Sequence, residues 1–223
     1  MFKYRTLLIL GLLILPVMVQ AQTVCPSKPM GKVNVIWGSD KIEYDFKKSQ
    51  NQLKRMNIDT VSPYDRNAKT HVGGLMEGGI GVEYRSQTSF ITYPRLKKVC
   101  LWVEKVEIKM DIDPKIYVAR EHKKRTCKHN AILDHEMKHI FVDREIVKKY
   151  APLIKGEMEK AVRKVGMVGP KKSSDLKKYQ RKIDDYLQAR LKNITDKMHA
   201  ERNANQQGVD TLTEYERVAN FCG

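Results

Sequence analysis

Through much of the first half of the chain, apolar residues alternate with a period of two, and through most of the second half they recur every three or four residues. Val33, Val35 and Trp37 share one strand face, and Ile42, Tyr44 and Phe46 another, with Gly38-Ser39-Asp40 as the turn between them. A short helical segment follows from Lys48 to Met56, before Ser62-Pro63 and glycines 73, 74, 78, 79 and 81 break regularity and read as a connection, with a flexible covering loop as the alternative. Further strands are expected at Val82 to Tyr84, Ser89 to Tyr93, Val99 to Met110 and Lys115 to Ala119. At least three antiparallel strands should therefore precede residue 120.

The helical half begins at Asn130. Up to Val147, Leu133, Met137, Ile140, Arg144 and Val147 share a side that should pack, while Ile132, His135, Glu136, His139 and Asp143 share another that should present polar groups. The period continues from Ile146 to Val165, with Pro152 starting a new helix or kinking the old one. Residues 166–172 read as a linker, and Ser173 or Ser174 as the cap of a long amphipathic helix whose stripe is Leu176, Tyr179, Ile183, Leu187, Leu191, Ile194 and Met198. The expected fold is α+β: a small antiparallel or mixed sheet, strand-rich over 31–119, followed by long C-terminal helices over 128–220.

The N-terminus changes that picture only by subtraction. Lys3 and Arg5, the apolar run Leu7 to Val19 and the small-residue site Val19-Gln20-Ala21 form a signal peptide, residues 1–21, leaving one domain over 22–223 that is periplasmic or secreted. No second apolar segment approaches spanning length. The formal charge of +16 falls to +14 when Lys3 and Arg5 leave. Such a surface suits anionic envelope components or acidic protein substrates; no nucleic-acid-binding motif accompanies it. In an exported chain Cys25, Cys100, Cys127 and Cys222 imply two disulfides, with three connectivities open.

The chemistry is concentrated in His135-Glu136-Met137-Lys138-His139. Two imidazoles one helical turn apart can grip one metal ion, with Glu136 placed as general base for a water that zinc would activate. Catalytic zinc normally takes a third protein ligand. Asp143 is a poor choice, since three ligands on successive turns of one helix spread over about 12 Å. His122 and His129 would need a tight loop, and His199 lies among polar residues. A late helix returning antiparallel to the first could bring Asp210 or Glu214 opposite the histidines, and geometry alone leaves that choice open.

At these residues the chain resembles a family of bacterial predicted secreted zinc-dependent proteases of the zincin, His-Glu-x-x-His metallopeptidase type. The resemblance rests on the export signal, the strand-rich half with a Cys-containing strand, the pentapeptide, and the Asp-x-x-Thr element at Asp210 and Thr213. Where the family carries an aromatic residue before the Asp and a His-Gly pair after the Thr, this chain has Val209, Tyr215 and Glu216. The resemblance implies a zincin-like fold, Zn2+ as cofactor, a peptide or protein substrate, and a ligand set of His135, His139 and Asp210 as in the aspartate-type zincins, with Glu214 the alternative. If the family's late His is instead the third ligand, this chain lacks it, and Tyr215 in its place would be at best a hydrogen-bond donor to the reaction oxyanion.

Overall fold

In a computed structural model, residues 24–56 and 72–223 are described; the signal peptide expected over 1–21 and the Ser62-Pro63 break lie outside them. The structure is α+β, with two mixed sheets and long C-terminal helices. The larger sheet has the order β1(Lys32–Ser39)-β5(Lys98–Ile112)-β4(Ile80–Tyr93), with β7(Met167–Lys172) also paired to β5. The smaller has the order β2(Glu43–Asp45)-β6(Lys115–Val118)-β3(Gly74–Glu77). Between β2 and β3 stands the four-residue helix α1(Gln50–Leu53), shorter than the segment expected there, its start fixed by a capping box of Ser49 and Gln52.

Several pairings depart from the sequence pattern. β1 runs parallel to β5, and β2 parallel to β6, so Gly38-Ser39-Asp40 leads from one sheet to the other rather than closing a hairpin. The two strands expected over 82–93 are one 14-residue strand with an irregularity between Gln87 and Thr88. The expected linker 166–172 is β7, antiparallel to β5, with Lys98 opposite Lys172. Of the glycines, Gly74 lies in β3 and Gly81 in β4, while Gly78, at φ +137°, makes the turn between them, a conformation L side chains resist. They form a strand edge and a tight turn rather than a flexible loop.

Helix α2(Cys127–Val165) starts at Thr126, whose side chain accepts from the His129 N–H, and passes through Pro152 without a break. It stops at Gly166, φ +54°, after Arg163 and Lys164, whose charges favour a helix C-terminus. The N-cap position of α3(Leu176–Val209) is Asp175, without a side-chain cap hydrogen bond, rather than Ser173 or Ser174; all three sit in a short 3-10 turn. This helix returns antiparallel to α2, as the cross-links Glu157–Arg190, Tyr150–Glu201 and Asp143–Arg202 show. α4(Leu212–Asn220) follows at once, capped by Thr211.

The main core joins Val106, Ile108 and Met110 of β5 to Ile146, Ile154 and Met158 of α2 and to Ile183, Leu187 and Met198 of α3. Full burial of each such side chain contributes about 1.5–3 kcal/mol. A second core sets Ile116 and Val118 of β6 against Ile132 and Ile140 at the start of α2, so the small sheet lies over the motif. On the side of α2 expected to pack, Ile140 and Val147 are fully buried and Leu133 and Met137 half-buried against the core, while His135, Glu136, His139 and Asp143 share the other side and are themselves buried.

Cys25 pairs with Cys100, and Cys127 with Cys222. These two bridges suggest an oxidising, extracellular environment. Among the described residues no helix is long and apolar enough to cross a membrane.

Candidate metal centre

Three buried side chains converge where α2 meets the end of α3. His135 and His139 lie one turn apart on α2, their rings 5.1 Å between centroids and nearly perpendicular. Asp210 occupies the C-cap of α3, where the backbone leaves helical geometry at ψ 54° and Thr211 begins α4. That break turns its carboxylate inward, with Oδ1 3.2 Å from His135 Nε2 and 3.3 Å from His139 Nε2. All three donor atoms lie within 4.8 Å of one another.

The other edge of each imidazole is held separately. Gln206 Nε2 donates to the His139 carbonyl at 3.0 Å and to Asp143 Oδ1 at 2.7 Å, which turns Oε1 to accept from His139 Nδ1–H at 2.6 Å. Asp143 is fully buried and takes two further hydrogen bonds from Arg202, at 2.7 and 3.2 Å, and Arg202 also donates to the Gly78 carbonyl. On the far side His135 Nδ1 faces Glu214 Oε1 at 3.4 Å, and the Tyr215 ring stands edge-on to the His135 ring at 5.5 Å. With each Nδ1 turned to an acceptor, both Nε2 atoms point at Asp210.

Charge follows from this enclosure. Burial opposes the imidazolium forms, but the Asp210 hydrogen bond and the Glu136 charge outweigh it and hold both histidines above their ordinary value. Burial pushes the Glu136 carboxyl up to about 7, against the pull of the two histidines and a hydrogen bond from the Met76 backbone on β3. Glu214 goes the other way: Arg217, then Lys138 and His135, bring it down to about 2 despite partial burial.

No protein-family model, curated protein or solved structure matches this chain. The chemistry of the site is therefore read from its own atoms. Two donors bound about 2.0 Å from one ion at the tetrahedral angle stand about 3.3 Å apart, which is the separation found between Asp210 Oδ1 and each Nε2. The group can hold a metal ion.

Of the other residues weighed from sequence, none joins it. Asp143 is committed to Arg202 and Gln206. His129 turns its Nδ1 to the His122 carbonyl and packs on Phe46, and His122 Nε2 lies 3.0 Å from Gln50 Nε2. His199 is half-buried on α3 and Thr213 is exposed. Glu214 supports His135 from behind. Arg202 and Gln206 escape a reading that sorts polar letters to the surface. Their signal is spacing: Met198, Arg202, Gln206 and Asp210 continue the buried stripe of α3 at intervals of four.

Proposed function

We propose that the protein is an exported zinc metallopeptidase in which His135, His139 and Asp210 hold the metal and Glu136 is the general base. The observation that carries the reading is the convergence of both Nε2 atoms on one Asp210 oxygen, with the buried Glu136 carboxylate on the same helix turn. Two imidazoles and a carboxylate suit zinc, which when bound polarises a carbonyl and brings the pKa of water towards neutrality. Glu136, lifted towards neutrality by burial, is matched to accept a proton at the working pH and hand it to a leaving amine. The Met76 backbone fixes that carboxylate, Gln206 fixes His139, and Glu214 orients His135. The substrate would be a peptide or protein.

Metal analysis and a peptide-hydrolysis assay on three variants test this. Glu136→Gln should keep one zinc per chain and lose hydrolysis, Asp210→Ala should lose zinc, and Glu214→Ala should keep it. Hydrolysis surviving in Glu136→Gln would remove the mechanism, and undiminished zinc in Asp210→Ala would remove the ligand set. One observation favours a second reading: His135 and His139 are each only 7% exposed, and Glu136 and Asp210 4%. A metal sealed there would stabilise a non-enzymatic protein that acts through its basic surface. Zinc-dependent thermal stability without hydrolysis of any peptide in a broad substrate library would select it.

A further inference from the structure

A strongly basic corner lies at the end of the molecule away from the metal ligands. Two stretches meet there: residues 94–98, the tip between β4 and β5, and residues 163–182, which run from the end of α2 through β7 into α3. Together they hold eleven Lys or Arg and one acid, Asp175. The pairing of β5 with β7 sets Lys98 directly opposite Lys172, and the Ser173 N–H donates to the Lys97 carbonyl. Like charges in direct cross-strand register oppose folding. Among the described residues none of Arg95, Lys97, Lys98 and Lys172 makes an ion pair, whereas lysines elsewhere do, such as Lys105 with Glu107 and Lys149 with Glu201. Leu96 is half-exposed at the tip between Arg95 and Lys97.

The N-terminal segment is fixed at the same corner. Cys25 is bridged to Cys100 in β5, and Gly169 of β7 packs so closely that a Cβ there would stand 2.9 Å from the Cys25 sulfur. The chain therefore enters the fold at this corner.

We infer that this basic corner docks on the surface of an anionic phospholipid bilayer, with Leu96 at the headgroup boundary and the metal ligands held away from it. Cationic side chains around one exposed apolar residue match the amphipathic boundary of a bilayer better than a uniformly polar polyanion. From His139 to the end of α2 at Val165 the helix rises about 40 Å. A corner on the bilayer therefore leaves the ligand set at the far end of the helical pair. This docking does not depend on the peptidase reading.

The test is sedimentation of the exported, oxidised protein with vesicles of phosphatidylglycerol mixed into phosphatidylcholine, against pure phosphatidylcholine. Binding should require the anionic lipid and fall as salt rises. The corner variant R95Q/K97Q/K98Q/K172Q should weaken binding about fivefold per charge, several hundredfold in all. A control at the opposite end, K41Q/K47Q/K54Q/K123Q, removes the same net charge and should cost less than tenfold. Thermal unfolding of both variants confirms that each is folded, and single substitutions at Arg95 and Lys172 replace the quadruple if it is not. Equal loss in corner and control would overturn the inference, as would equal binding to neutral vesicles. Binding to inorganic polyphosphate without binding to anionic vesicles would also overturn it.

Discussion

Arg202→Met isolates the buried carboxylate of Asp143, and the structure sets the size of the effect. Asp143 is 0% exposed and receives two hydrogen bonds from Arg202 and one from Gln206. The substitution fills a similar volume with apolar atoms and leaves a buried charge supported by one amide. Breaking such a pair costs about 3–5 kcal/mol. Urea unfolding of the metal-free protein at pH 7 should therefore show a loss of about 3–5 kcal/mol. Arg202→Met with Asp143→Leu should recover most of it. A loss below about 1 kcal/mol, or no recovery in the double variant, would refute the account of this cluster.

Three further outcomes are expected. A Cβ at Gly74 would stand 2.7 Å from Glu136 Oε1 and 2.5 Å from an Ile132 methyl, so Gly74→Ala should displace the carboxylate, cutting peptide hydrolysis at least tenfold while zinc content holds; unchanged turnover would contradict the contact. Cys127→Ser/Cys222→Ser should raise hydrogen exchange over 212–220 and weaken metal binding, because that bridge and the Lys128 hydrogen bonds to the Val218 and Ala219 carbonyls hold α4 against α2; unaltered exchange would show that the bridge is dispensable. Glu214, held at about 2 against an ordinary 4.5, contributes stability that is present above its unfolded value and lost as pH falls from about 4.5 to about 2. The acid-induced release of α4, followed by exchange at Tyr215, should flatten over that window in Glu214→Gln, and an identical profile would sink the assignment.

How much of this was legible in the sequence depends on how local each determinant is. The spacing of His135 and His139 is a property of one helical turn, and the stripe from Leu176 to Met198 of one helix, so both could be read directly. Asp210 was reachable as a carboxylate at the end of a returning helix. The strand partners were not, because β1 against β5 brings together residues some seventy positions apart, and nothing in Lys32 to Ser39 favours a parallel neighbour over a hairpin. β7 was hidden by Gly169-Pro170, which signals a linker until a sheet edge is there to pair with. The burial of the motif face was not legible for a related reason. Polar letters imply solvent unless their partners are known, and here those partners, Arg202 and Gln206, come from the opposing helix.

The two disulfides are consecutive along the chain rather than interleaved: one closes residues 25–100, the other 127–222. A chain emerging N-terminus first therefore meets its correct partners in order of appearance, and a simple nearest-available rule yields the native pairing out of the three that four cysteines allow. The second loop encloses His135, His139 and Asp210. The ligand set consequently stays incomplete until Asp210 has emerged, roughly seventy residues after His139, which makes the metal centre a late product of the molecule's own order of assembly.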